Sequence, residues 1–521
     1  MYSIDELQEV YDIGGNPITE VYDIGGNLLK SYNVGIIYDA VHSSRNIYSG
    51  GYIEIQPDSW DGSLPAYDST SETWGFPMSL SKESNMSIKE ELFSGNGYGV
   101  SFIRMPMGFA YRGYRNIDET TGLAKNIGER FEGQNASLRA WFENIANEGG
   151  GLSVEYWCPA PYWVTGGAYY NADVNNELCA GGNYEQSVSL ASIRESDTEQ
   201  YNAQIDAYTD AIVDDLEYLH QNVCPVRMYT LGAEPSGSGK LLYGHCYWNT
   251  NVYNDVFEVL HPKVMASEIL STWSGKPNKV LMHLAASDLG FSIASTMISN
   301  HSDWIWGYSS DLIRNLNGET GDYGADYLKS DAWNNIRKLH WKNVFTCEYE
   351  YFTDARGNDY RCSNNIVRMI LELALGKAKV IMPIIHICKP TGQTSTQTNT
   401  KGYCLYAVDM ESGNYTTNTW AYNSWKMFND NLPIGAELVT GGDGGLNKAG
   451  YAHFEYEGKT YLFLGNFSDV AQNISVGFSK ALSLNGKLYN MTNLGTETES
   501  VSGSSITFTI PAYSGLVYAS I

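Results

Sequence analysis

Positive charge, closely spaced cysteines and long apolar runs are all scarce in this sequence, and each absence removes a class of function. Lys and Arg number 33 against 59 Asp and Glu, a formal net charge of −26. Such a field repels a phosphate backbone, so nucleic acid is not an expected partner, and neutral or weakly charged substrates suit it better. The eight cysteines, at 158, 179, 224, 246, 347, 362, 388 and 404, include no CxxC pair of the kind that zinc and redox sites use. Most are expected as buried thiols. No two histidines stand at metal-ligand spacing on a helix, so neither a metal nor a cofactor is expected. No window reaches the length of a membrane span, and Met1–Val10 has neither the basic nor the apolar region of a secretory signal. Compartment and oligomeric state stay open at this stage.

Aromatic residues are abundant. Tyr (39), Trp (13) and Phe (16) make 13% of the chain, many beside Gly, Asn and Asp, a composition that suits either sugar faces or β-sheet surfaces. Near the start, Val10-Tyr-Asp-Ile-Gly-Gly-Asn16 recurs unchanged as Val21-Tyr-Asp-Ile-Gly-Gly-Asn27, an alternation running into a turn. It predicts a hairpin-like appendage over 1–31 and resembles short repeats near the start of some phage and prophage tail-associated proteins.

From about Gly51 to His386, strand-like runs alternate with helix-period segments, the pattern of a parallel sheet with crossover helices. Eight strands are expected: Tyr52 to Gln56, Val100 to Met105, Leu152 to Trp157, Val226 to Gly232, Lys279 to His283, Trp304 to Tyr308, Val344 to Cys347 and Val380 to Ile385. Between them, Ile205, Tyr208, Ile212, Leu216 and Leu219 keep one helical face, as do Leu138, Trp141, Phe142 and Ile145. After a helix around Trp420 to Phe428, short alternating segments predict a β-sandwich, which the strand-like stretch Tyr32 to Tyr48 is expected to join. The fold class is thus α/β, a (β/α)8 TIM barrel over 52–431 with a side β-sandwich formed by 432–521 and strands from 32–51.

Barrel enzymes work at the C-terminal ends of their strands. Met228-Tyr-Thr-Leu-Gly-Ala-Glu-Pro235 ends strand four in Glu234, and Val344-Phe-Thr-Cys-Glu-Tyr-Glu350 ends strand seven in Glu348 and Glu350. Strands four and seven face each other across a barrel mouth, so one carboxyl from each can flank a glycosidic bond. Glu348 and Glu350 share a residue parity, which leaves both open as the strand-seven carboxylate.

These segments resemble glycoside hydrolase family 30 of clan A, over most of the chain. Gly151-Leu-Ser-Val-Glu-Tyr-Trp-Cys-Pro-Ala-Pro-Tyr-Trp-Val-Thr-Gly-Gly167 is similar to that family's third strand and cleft-bordering loop, with Trp163 in the place of its tryptophan. Leu231-Gly-Ala-Glu-Pro235 resembles the segment that ends in Asn-Glu-Pro. The resemblance implies a retaining β-glycosidase with Glu234 as acid/base and Glu348 as nucleophile, and it implies that Arg104 steadies the nucleophile as a carboxylate. Trp157, Trp163, Trp306 and Tyr308 become candidate sugar contacts, and His386, expected at the end of strand eight, a candidate cleft residue. Two departures stand out: Ala233 replaces the Asn that bonds the substrate 2-hydroxyl, and Trp306-Gly-Tyr308 replaces His-x-Tyr. The expected partner is a polysaccharide or oligosaccharide, attacked internally. The rival expectation is a non-catalytic glycan-binding protein on the same barrel.

Overall fold

A computed structural model describes residues 20–22, 28–31, 50–52, 67–68, 73–74, 87, 91, 102–108, 151–158, 179–180, 188–222, 224–231, 249–270, 280–284, 292–301, 304–310, 343–349, 357–375, 378–383, 386–388, 404–408, 415–433, 436–446 and 448–521. Its centre is one eight-stranded sheet of β1 (Gly50–Tyr52), β2 (Phe102–Gly108), β3 (Gly151–Cys158), β4 (Val226–Leu231), β5 (Val280–Leu284), β6 (Ile305–Ser310), β7 (Asn343–Tyr349) and β8 (Ala378–Pro383). Spatial order follows chain order, and neighbouring strands pair in parallel. The first and last strands, β1 and β8, are in contact with each other. Parallel neighbours need crossovers, and helices α1 (Thr198–Asn222), α2 (Thr250–Ala266), α3 (Ser292–His301) and α4 (Asn358–Ala374) supply four of them.

Helix α1 buries the face that its periodicity marks: Ile205, Tyr208, Ile212, Leu216 and Leu219 are all buried. The helix with Leu138, Trp141, Phe142 and Ile145 lies outside the described residues, as does the stretch Tyr32 to Tyr48. Polar side chains fasten α1 and its lead-in to α2. Arg194 reaches Asp255 through two hydrogen bonds of 2.6 and 3.2 Å, and the Tyr201 hydroxyl donates to the same carboxylate at 2.7 Å. Lys263, on α2, donates to Asp210 at 2.7 Å and to Thr209 at 2.9 Å on α1.

Under α2 lies Tyr229 of β4, fully buried, its hydroxyl 2.9 Å from Nδ1 of His261. The His261 ring stacks on Trp304 at 4.7 Å, and His301 stacks on the same indole at 4.4 Å. Burial, with a smaller push from His301, lowers the His261 pKa to about 4.

The second half of the chain is organised around α4, which is buried along nearly its whole length. It contacts β8 and also the antiparallel sheet formed by β9 (Glu437–Gly442), β10 (Ala449–Tyr456), β11 (Lys459–Asn466), β12 (Gln472–Tyr489), β13 (Leu494–Ile510) and β14 (Ser514–Ser520). The strand order is β9-β10-β11-β14-β12-β13. Gly450, Gly465 and Gly515 pair directly across β10, β11 and β14, a track without side chains. A Cβ on Gly465 would stand 2.8 Å from Val367 Cγ2, and one on Gly450 would stand 2.9 Å from Leu371 Cγ. A Cβ on Gly515 would meet Met427 of α5 (Thr419–Asn429) at 2.5 Å. The helices can therefore approach only because these positions are glycine.

A two-residue Glu457-Gly458 turn, both at positive φ, joins β10 to β11, as the sequence suggests. Three boundaries differ from expectation. The stretches Ile474 to Phe478 and Lys487 to Met491, which alternation predicts as separate strands, join in one 18-residue strand, β12, that ends at Tyr489, because Gly477 and Gly486 continue the ladder with only local register shifts. The run Ile506 to Ser520 is broken after Ile510, where Tyr513 takes φ 51° and the chain turns into β14. And the expected sandwich strands form a single hydrogen-bonded sheet among the described residues. Its second layer comes from the far half of the β12–β13 hairpin: Ile474, Val476, Ile506 and Phe508 cluster with Leu462 and Leu464 of β11, to which they are not hydrogen-bonded. Near the second copy of the N-terminal repeat, Glu20–Tyr22 pairs antiparallel with Leu28–Ser31.

The glycine track makes Gly465→Ala costly, by about 1–3 kcal/mol of overpacking, in urea denaturation. Gly477→Ala is the control: nothing lies within 4 Å of the added Cβ. Its stability should match or slightly exceed the wild type.

His261 gives an acid dependence whose sign follows from its depressed pKa. Between pH about 6.5 and about 4 the unfolded chain holds the proton and the folded chain does not, so stability is full above pH 6.5 and falls through this window. The shift corresponds to a loss of roughly 3 kcal/mol by pH 4. In His261→Phe, urea midpoints should be flatter across the same window.

Candidate active site

The face on which a strand residue stands follows from alternation. Tyr229 meets His261 of α2, so the odd positions of β4 face the helices, and buried Met228 and Thr230 take the opposite, interior face. Ladder pairing carries that face across the sheet. Met228 pairs with Ser153, and Ser153 with Arg104; Thr230 pairs with Glu155, and Glu155 with Pro106. The positions of Arg104, Ser153 and Glu155 are thus on the interior face; Trp157 falls at a register shift, opposite the step from Met107 to Gly108. Ser153 is buried, and its hydroxyl has no hydrogen-bond partner.

A second group comes together on β6 and β7. Tyr308 pairs with Val344 in an unbroken β6–β7 register, while toward β8 the register of β7 shifts between Thr346 and Tyr349, the stretch that holds Glu348. Glu348 is the last residue but one of β7, at its C-terminal end. Trp157 holds the corresponding position at the end of β3. Trp306 shares the parity of Tyr308 but is the second residue of β6, far from the C-terminal end.

Two placements correct the sequence reading. Arg104 does not end its strand: β2 runs on to Gly108, which leaves Arg104 as its third residue, two rungs below the strand end. His386 does not end strand eight. That strand stops at Pro383, whose ring offers no N–H to extend the ladder, and His386 opens the short strand His386–Cys388, which pairs with Cys404–Val408 in a separate three-stranded sheet. Glu234, Trp163 and Glu350 lie outside the described residues. Glu155 was not singled out from the sequence, although a carboxylate within the apolar run Leu152 to Trp157 is a legible signal. Of the cysteines, Cys224 and Cys362 are buried free thiols, and burial pushes the Cys362 thiol up.

No family model and no curated protein matches the sequence. Solved structures do. The chain is similar to a glycoside hydrolase family 30 subfamily 8 xylanase from Clostridium acetobutylicum, with 12% identity and a TM-score of 0.56 over 93% of this chain and 98% of that one. It is similar to SrfJ from Salmonella typhimurium, with 12% identity and a TM-score of 0.59 over 92% and 90% of the two chains. An endo-β-1,6-glucanase matches with 13% identity and a TM-score of 0.56 over 91% and 92%. What is shared at these identities is the fold.

Proposed function

We propose that this protein is a retaining β-glycosidase that cleaves inside a neutral or weakly charged polysaccharide. In this reading the parallel sheet is a closed (β/α)8 barrel over 52–431. The sheet of 432–521, joined by strands from 32–51, is its side β-sandwich, and 1–31 is an appendage. The observation that carries the proposal is the position of Glu348, at the C-terminal end of the seventh of eight consecutively ordered parallel strands. Contact between β1 and β8 supports closure. Glu234 follows the described strand β4 by three residues in the sequence.

A retaining mechanism needs two carboxyl groups about 5–5.5 Å apart. Glu348 attacks the anomeric carbon as a carboxylate while Glu234 gives its proton to the departing glycosidic oxygen. The products of this step are a free chain end and a glycosyl ester on Glu348. Glu234, now a carboxylate, takes a proton from water, whose oxygen attacks the same carbon and releases Glu348. Arg104 favours the ionised form of Glu348. Trp157, Trp163 and Tyr308 supply stacking and hydrogen-bonding surface for sugar rings. Trp306, at the opposite end of β6, is less favourably placed for this role.

One departure favours a second reading, a glycan-binding protein without catalysis. Ala233 stands where the resemblance implies an Asn, so a substrate contact that strengthens in the transition state is missing.

The test begins with a screen of β-linked xylan, glucan, galactan and bacterial wall polysaccharides for new reducing ends. On a cleaved substrate, Glu348→Ala abolishes turnover and leaves binding largely intact. Glu234→Ala slows turnover by about 10²–10⁴-fold. With a good leaving group, azide restores turnover in Glu234→Ala and yields a glycosyl azide of retained configuration. Unchanged turnover in both variants overturns the assignments. Tight glycan binding with no cleavage across the screen establishes the second reading instead.

A further inference from the structure

Two imidazoles and one indole come together where α2, α3 and the lead into β6 meet β4, and the proposed mechanism uses none of them. His261 of α2 and His301 at the end of α3 both stack on Trp304, at 4.7 and 4.4 Å. Phe257 completes the cluster, 5.6 Å from the His261 ring and 5.8 Å from the indole. His261 is 3% exposed, whereas Trp304 is half-buried and is the member of the stack that reaches water.

The two imidazoles are held differently. Nε2 of His301 lies 3.2 Å from both Asn254 Oδ1 and Glu258 Oε1, and two acceptors at one nitrogen require a proton there. Asn254 donates to the same Glu258 oxygen at 2.9 Å, and Asn300 donates to the Asn254 oxygen at 3.2 Å. A charge on His301 therefore has a carboxylate beside it. Among the described residues, His261 has none: it faces the Tyr229 hydroxyl of β4, Phe257 of its own helix, Trp304 and His301, and Tyr253 stands near Tyr229. The Tyr229 hydroxyl is fully buried and makes no other hydrogen bond among the described residues, so it donates to Nδ1 of His261. A proton added at Nδ1 turns that nitrogen into a donor and leaves the tyrosine hydrogen without an acceptor. Burial, and then His301, oppose the same proton and lower the His261 pKa to about 4.

We propose that this cluster is an acid-released joint: when His261 takes up a proton, Trp304 leaves the stack and the end of α3 separates from α2, while the surrounding helices and sheets stay folded. The parts that stay are fixed independently. Ile293 and Met297 are buried along α3, and α2 is tied to α1 and its lead-in by Lys263 with Asp210 and by Asp255 with Arg194. Once the joint is open, His261 titrates in water near the ordinary value of about 6.5. The open form then binds the proton more tightly than the closed form, so acid favours opening. Between pH 7 and pH 5 the opening equilibrium rises about 20-fold. The joint does not depend on the glycosidase reading.

Hydrogen exchange of the whole protein, read by mass spectrometry at pH 7 and pH 5 and corrected for the intrinsic rate at each pH, tests this. The reporter is the Trp304 amide, which donates to the His301 carbonyl at 3.0 Å. Corrected exchange in a peptide spanning 301–306 rises about 20-fold at pH 5, while peptides of α1 and β11 keep their protection. In H261N, which keeps a hydrogen-bonding atom near the Nδ1 position and does not titrate in this range, the rise is absent. H261Q takes its place if H261N does not fold, and the wild-type comparison of the joint with α1 and β11 decides by itself whether the opening is local. Unchanged protection of the joint at pH 5, an equal loss in all three segments, or a rise that persists without the imidazole each overturns the proposal.

Discussion

The close approach of α4 to the antiparallel sheet is the constraint on which the rest of the molecule depends. One helix serves two sheets: it is the crossover into β8, and it is also the body against which β9, β10, β11 and β14 pack. Val367 and Leu371 can lie against the strand backbones only because Gly465 and Gly450 carry no side chain. Gly441 continues the same logic, with its imagined Cβ 2.6 Å from that of Ala374. A shared helix couples the C-terminal sheet to the last strand of the parallel sheet.

The buried His261–Tyr229 contact plays a similar part on the other side of the sheet. It identifies which face of β4 meets the helices, and by subtraction which face lines the interior. The positions of Arg104, Ser153 and Glu155 on that interior face follow from this one hydrogen bond and from ladder pairing.

Much of the architecture was legible in the sequence, because apolar periodicity is a local property that burial enforces. The face of α1, the eight runs that became parallel strands and the Glu457-Gly458 turn are of this kind. What was missed depends on neighbours distant in the chain. The stretch between Phe478 and Lys487 interrupts the expected strands, but pairing with β13 and β14 carries β12 through it. Arg104 seemed to close its strand, although pairing with β3 carries β2 to Gly108. His386 followed an apolar run that Pro383 had already ended. No period marks the candidate site at all. Glu234 and Glu348 became candidates through strand-end position and resemblance to a family, and only Glu348 falls within the described residues.

The central claim is that two carboxylates cleave a β-glycosidic bond by double displacement, and stereochemistry reports on that directly. Proton NMR of the first product released by the wild-type protein, recorded before mutarotation, reads the anomeric configuration of the new reducing end. A β anomer from a β-linked polysaccharide is the result this account predicts. An α anomer as first product would mean a single displacement by water and would contradict it.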